Sequence, residues 1–200
     1  MKRYVLVFLL LSSCAAINQV SEVDINENFP HDEIQKIAVI MFEIPKEEKK
    51  GSWAISKTSI SPDAEEILPS MTARELAKWG RYIVVDRKTL KRELKLKKLR
   101  EEDFLHTQNY LNLGTQIGVD AVIVGSIEGF GISYKPKATG LFISPLVTKV
   151  SFAIRCVDVT TNETIWAVKI KGSSTEDNER VLSSKLIAET FETLKAKLNQ

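Results

Sequence analysis

The residue with the most distinctive chemistry is a cysteine near the start of the chain. Cys14 follows the tripeptide Leu-Ser-Ser, directly after a short apolar run (residues 4–11) that two basic residues precede. That run is much shorter than the roughly 20 apolar residues of a membrane-spanning helix, and it is typical of the apolar region of an export signal. We therefore predict an export signal that ends near Cys14.

The Leu-Ser-Ser-Cys tetrapeptide resembles the bacterial lipobox. In that signal the Cys thiol receives a diacylglyceryl group, the chain is cut before the Cys, and the new amine is acylated. The resemblance implies a signal peptide over residues 1–13 and a stable anchor, because two or more acyl chains hold a protein at a membrane far better than one. Ala15, rather than Asp, implies the periplasmic face of the outer membrane. An ordinary signal peptide or a short membrane anchor is the alternative.

The other reactive side chains form no recognisable site. The sequence holds no nucleophile elbow, no zinc-binding His-Glu-x-x-His, no Cys-x-x-Cys and no phosphate-binding loop. We therefore predict a non-enzymatic protein without a cofactor or metal. His31 and His106 are expected on the surface, and Cys156, in an apolar run, is expected to be a buried, unreactive thiol. Because Cys14 is predicted to carry lipid, no intramolecular disulfide is expected.

Composition places the chain among ordinary globular proteins. It has 200 residues, 44% hydrophobic and 27% charged, with 28 basic and 26 acidic side chains. This length indicates one folded domain, and the near balance of charge argues against a nucleic-acid binder. The basic run at 87–100 is predicted to be a solvated helix face, or alternatively a contact with an anionic surface or acidic partner.

The elements alternate between strands and helices. Residues 14–33, rich in polar side chains, are predicted to be a lipidated tether. Beyond it the fold class is α/β: a single mixed parallel and antiparallel sheet with helices packed on it, and a C-terminal β-hairpin followed by a long helix. Helix starts are expected at Ser61 and, through a capping box, at 173–176; Pro69 is expected to kink or split its helix. Strands are predicted at 37–42, 82–85, 119–125, 150–159 and 164–171.

Three segments in this order resemble a known family. They are 80–87 (GRYIVVDR), 118–127 (GVDAVIVGSI) and 157–166 (VDVTTNETIW), downstream of the lipobox. Together they resemble the CsgG-like family of bacterial envelope lipoproteins, which includes the curli secretion channel and smaller periplasmic relatives. The resemblance covers about 34–198, so a CsgG-like domain is predicted over 34–200. It implies a lipid-anchored periplasmic protein that binds envelope proteins or itself during envelope assembly or secretion.

Channel members of that family insert two long β-hairpins per subunit into the outer membrane. The counterpart of the second hairpin, between Lys171 and Val181, is polar here, which argues against a pore. The segment 129–147 is richer in apolar residues than an exposed connection needs, so it is predicted to be a partner- or membrane-facing hairpin. A hairpin arm that folds over the domain and completes its core is the alternative. An oligomeric secretion pore of the curli type remains the alternative function. The side chains assigned to this surface are Phe130, Ile132, Tyr134, Leu141, Phe142 and Ile143.

Overall fold

The computed structural model of the protein describes residues 18–45, 60–105, 109–133 and 147–199. One six-stranded sheet has the order β1-β6-β5-β4-β2-β3. The predicted α/β class, the single mixed sheet and the long C-terminal helix are confirmed. The strands are β1 (Asn18–Ile25), β2 (Lys36–Val39), β3 (Ile83–Val85), β4 (Ala121–Ser133), β5 (Val147–Asp158) and β6 (Thr164–Ser174). The helices are α1 (Ala64–Trp79), α2 (Arg87–Lys97), α3 (Glu102–Leu105), α4 (Tyr110–Ile117) and α5 (Glu179–Leu198), with a single 3-10 turn at His31–Glu33.

Strands β4, β2 and β3 are parallel and form one half of the sheet. Ile37 and Val39 point into a core with α1 and α5, whereas Ala38 packs with α2 and α4 on the opposite face. All three side chains are fully buried. Continuous apolar sequences such as that of β2 are expected where helices cover both faces of parallel strands.

Strands β1, β6, β5 and β4 are antiparallel and form the other half. Alternate side chains point into the core, where Trp166 packs edge-on against Phe191 of α5 at a centroid distance of 5.9 Å. The hairpin turn predicted at residues 160–163 is confirmed: Asn162 has φ 62°, and the Asp158 carboxylate accepts hydrogen bonds from the Thr160 and Thr161 amides at 2.8 and 2.6 Å.

The first strand corrects the predicted tether. Residues 18–25 pair with β6 along their whole length, so the fold begins inside the range assigned to a flexible connection. Only two β1 side chains, Val23 and Ile25, contribute to the core. Two inward apolar residues are a weak sequence signal, and β1 is recognisable mainly through its partner strand.

Helix α1 differs from prediction at its start and at its proline. The Ser61 cap is wrong, because Asp63 in the left-handed region (φ 65°) precedes the first helical residue. Pro69 was expected to kink or split its helix. The split is wrong, since α1 continues through Pro69. Proline lacks the amide that would bond the carbonyl of Glu65. The Phe42 amide donates to that carbonyl instead, at 3.2 Å.

Helix α5 begins later than the predicted capping box. Ser174 is the last residue of β6, and its hydroxyl accepts hydrogen bonds from the amides of Glu176 and Asp177 in a turn. The cap is Asn178, whose side-chain oxygen accepts from the Val181 amide at 2.9 Å. Hydroxyl-rich segments favour turns and caps equally. The sequence-based prediction therefore placed the start of α5 a few residues too early.

Candidate functional site

The residues assigned to the partner-facing hairpin divide into two groups. Phe130 is 0% exposed and belongs to the main core, so its assignment to a partner- or membrane-facing surface is wrong. Ile132 is 36% exposed, near the end of β4. The remaining hairpin residues (Tyr134, Leu141, Phe142, Ile143) lie outside the described residues, as do Cys14 and His106.

A β-bulge explains why Phe130 points inward. The register of β4 against β5 shifts between Ile127 and Gly129, which leaves Glu128 as the extra residue. Both Ile127 and Phe130 are therefore buried although they are three residues apart. A bulge reverses the inward and outward alternation of a strand.

The basic run also contains one residue that is not solvated. Arg87, the first residue of α2, is 6% exposed. Its guanidinium forms a two-pronged hydrogen bond with Glu101 at 2.5 and 2.8 Å, and a second with Glu66 at 2.8 and 3.2 Å. Glu101 also accepts from the Met41 amide at 2.5 Å, just after β2. The cluster thus joins α1, α2 and the carboxyl ends of two strands.

The charges in this cluster stabilise one another. Burial by itself would lower the pKa of Arg87, but hydrogen bonds and charges from Glu101 and Glu66 outweigh burial and raise it. Burial would raise the pKa of Glu66, but the bonds from Arg87 and Lys91 outweigh it and the pKa falls. Arg87 and Glu66 are therefore charged at neutral pH, and the hydrogen bonds of the cluster satisfy the polar groups of Arg87, Glu66 and Glu101. We interpret the cluster as a structural clamp.

The antiparallel half has one face that no helix of the described chain covers. Its side chains are mostly polar or charged, as is usual for a sheet face exposed to water. We call it the open face: Val20, Glu22, Asp24, Ser126, Glu128, Lys149, Ser151, Ala153, Arg155, Lys169, Lys171 and Ser173.

A shallow groove of about 580 Å³ lies at one end of the open face. Within it the Ser151 hydroxyl donates to Glu128 at 2.7 Å, and the Lys171 ammonium lies 3.7 Å from the same carboxylate. The hydrogen bond from Ser151 is the main cause that lowers the pKa of Glu128, with help from the nearby lysine charges. We call this feature the anchor-end groove, because it lies at the start of β1, the end of the described chain nearest in sequence to the predicted lipidation site Cys14. Its lining includes Gln19, Val20, Glu128, Lys149, Lys171 and Ser173.

The outer edge of β1 is the second exposed feature. The Asn26 amide donates to the Ile165 carbonyl at 3.0 Å. Since backbone groups alternate sides along a strand, the N–H and C=O groups of even-numbered residues point to β6 and those of odd-numbered residues point to the outer edge. The Val23 carbonyl on the outer side accepts from Lys197 of α5 at 2.7 Å. The backbone groups of Gln19 and Ser21 remain on the outer edge without a neighbouring strand in the described chain.

Among the described residues no group of three or more His, Cys, Asp or Glu side chains is arranged to hold a metal ion. No helix of the described chain has both the length and the apolar character to cross a bilayer. Cys156 is fully buried, as predicted, and burial raises the pKa of its thiol.

Fold and exposed surfaces together define a class: α/β proteins whose mixed sheet has helices on both faces of its parallel half and one bare antiparallel face. The chain belongs to the family described as curli production assembly/transport component CsgG, whose model matches residues 19–198. The expected family is confirmed, and the match includes β1, which was assigned to the tether.

Two solved structures share this fold. PelC from Paraburkholderia phytofirmans, solved as a dodecamer, is 15% identical over 88% of this chain and 97% of its own, with a TM-score of 0.55. Lipoprotein GNA1162 from Neisseria meningitidis is 19% identical over 80% of this chain and 99% of its own, with a TM-score of 0.54. No curated protein matches this chain in sequence. At these identities the similarity concerns the fold.

Proposed function

We propose that this protein is a lipid-anchored periplasmic protein that binds protein partners in cell-envelope assembly or secretion, further copies of itself among them, and that it is not an enzyme. Family membership and the Cys14 signal support the envelope location. The observation that carries partner binding is the outer edge of β1, which presents free backbone donors and acceptors beside the bare sheet face. Such edges pair readily with a strand of another chain.

The lengths of the described strands and connections favour partner binding over a pore. Strand β5 pairs with β6 up to Thr148, opposite Ser174, so neither projects far beyond the other. Between β6 and α5 lie only residues 175–178, too few for a second hairpin of two membrane-spanning strands.

The anchor is tested in cells with a labelled fatty acid such as palmitate. The wild-type chain should incorporate label and fractionate with the outer membrane, whereas Cys14→Ala should do neither. Cys156→Ser is the matched control, because that thiol is buried in the folded domain and should not affect labelling. Lipid labelling that persists in Cys14→Ala would refute the anchor.

Partner binding is tested by a proline scan of the β1 edge. Ser21→Pro removes an outward-facing amide, which an edge strand tolerates, and should abolish strand addition without unfolding the domain. Glu22→Pro removes an amide directed at β6 and should instead destabilise the fold. Association is measured by cross-linking in intact envelopes and by light scattering of the purified chain.

The expected result is that Ser21→Pro melts like the wild type but loses its cross-linked species. Unchanged cross-linking by a folded Ser21→Pro protein would place the binding surface elsewhere. Discrete ion conductance from the wild-type protein in planar bilayers would favour the pore over the proposed function.

A further inference from the structure

The start of β1 determines which end of the sheet is nearest to the proposed anchor. Asn18 pairs with Ser173 of β6, and the neighbouring Ser174 pairs with Thr148 of β5. Four peptide steps separate Cys14 from Asn18, and at about 3.3–3.6 Å per residue they reach no more than about 14 Å. A lipid on Cys14 therefore holds this end of the sheet close to the bilayer surface.

The opposite end of the same strands lies far from the anchor. Strand β6 has 11 residues, and at about 3.3 Å per residue its two ends are roughly 33 Å apart. The turn at Asn162 joins β5 to β6 at that distant end. The short connection thus orients the domain as well as attaching it.

The anchor-end groove lies at the near end and carries an excess of positive charge. Its two lysines, Lys149 and Lys171, are diagonal neighbours on β5 and β6, a separation of about 7–8 Å. Its one acidic side chain, Glu128, is already bonded to Ser151 and near Lys171. The Lys149 ammonium makes no hydrogen bond or ion pair within the described chain, so it is left to bind an outside anion.

We propose that the anchor-end groove binds the anionic headgroups of the membrane that holds the lipid anchor, with Lys149 and Lys171 as the phosphate-binding side chains. The proposal rests on the proposed lipid anchor for its place in the cell. Val20, which is 59% exposed beside Lys171, adds an apolar contact at the headgroup level. The membrane contact leaves the distant Asn162 turn facing away from the bilayer.

Orientation is tested with a chain that starts at Cys14. The thiol of Cys14 is coupled to a maleimide lipid in nanodiscs. Cys156 is buried, so the folded protein couples at one site. Gadolinium-chelating headgroups then broaden nearby amide resonances. Amides at the Ser174 end of β6 should be broadened strongly and those around Asn162 should not. Equal broadening at both ends, or the reverse order, would overturn the proposed orientation.

Headgroup binding is tested with the same chain carrying Cys14→Ser and vesicles containing 30% phosphatidylglycerol. Each lysine near an anionic surface contributes about fivefold to partitioning, so Lys149→Gln with Lys171→Gln should lose about 25-fold. The control pair Arg92→Gln and Lys95→Gln, exposed on α2, makes the same change in net charge and should retain binding. Equal losses in the two pairs would refute the groove.

Two further measurements distinguish a lipid headgroup from a soluble anion. They also distinguish failure of the lipid anchor from failure of headgroup binding. Neutral vesicles should not bind the chain, and inorganic phosphate should not displace it; displacement by phosphate would identify a soluble ligand and refute the lipid assignment. Because the nanodisc anchor is chemical, the orientation test does not depend on lipidation in cells. Failure of palmitate labelling and failure of the groove are therefore distinguishable.

Discussion

The two halves of the sheet bury their strands in different ways. In the parallel half, Ala38 and Val39 face opposite sides of the sheet and both are fully buried between helices. In the antiparallel half, Val168 and Ile170 are buried while Lys169 between them is exposed. The parallel half therefore tolerates no charge on either face, whereas the antiparallel half leaves one face free to meet other molecules.

The largest expected effect comes from a charge placed in the parallel half. Val122→Asp would bury an unpaired carboxylate at a fully buried position of β4, a penalty of several kcal/mol that exceeds or equals the stability of many domains. Val20→Asp, on the open face beside Lys171, should leave the melting curve nearly unchanged. A cooperatively folded Val122→Asp protein, measured by circular dichroism, would contradict the stated difference between the halves.

The next effect concerns the clamp at the carboxyl ends of β2 and β3. Arg87→Met leaves Glu101 buried without its partner and should reduce the free energy of unfolding by about 3–5 kcal/mol. Arg74→Met removes an exposed arginine from α1 and should change it by less than about 0.5 kcal/mol. Urea denaturation of both variants measures the difference, and equal losses would show that the clamp is not structural.

A smaller effect separates two strand glycines. A Cβ on Gly125 of β4 would lie 2.5 Å from the ring of the fully buried Phe42, which cannot withdraw. Gly125→Ala should cost about 1–3 kcal/mol through overpacking. At Gly172 of β6 the nearest atom is the terminal methyl group of Leu186, which can rotate, so Gly172→Ala should cost less. Thermal melts that rank the two variants in reverse order would contradict this reading.

The smallest effect is a pH dependence with contributions from both halves. The pKa values of Glu66, near the clamp, and of Glu128, on the open face, both lie below the ordinary value. Each carboxylate therefore stabilises the fold above its unfolded pKa, and that contribution is lost as the pH falls through the folded pKa. Glu66→Gln and Glu128→Gln should each flatten the decrease in urea midpoint below about pH 4.5. An unchanged acid dependence would exclude that group.

The same contrast explains what the sequence could predict. Strand β2 was recognisable because a strand covered on both faces is apolar throughout. The family resemblance rested on such local signals. Strand β1 was missed because its core-facing residues number only two, and the pairing that holds it lies about 150 positions further along the chain.

The candidate site was harder to predict than the fold. Phe130 was assigned to a surface because its segment is rich in apolar residues. The bulge at Glu128 that directs Phe130 inward depends on pairing with β5. Arg87 stood among solvated lysines, and nothing local indicates that Glu101 and Glu66 meet it after folding. The open face and the free β1 edge are properties of the assembled sheet, so no single segment could indicate them. Lipidation of Cys14 stays a prediction.

The hydrogen bond from Phe42 to Glu65 makes one amide a specific reporter of local opening. Most helix carbonyls accept from their own helix, but Pro69 frees the carbonyl of Glu65 for a donor outside α1. Protection of the Phe42 amide against deuterium exchange then requires α1 to be docked on the end of β2. Its exchange rate measures the free energy of undocking that helix, separately from the fraying of the helix itself.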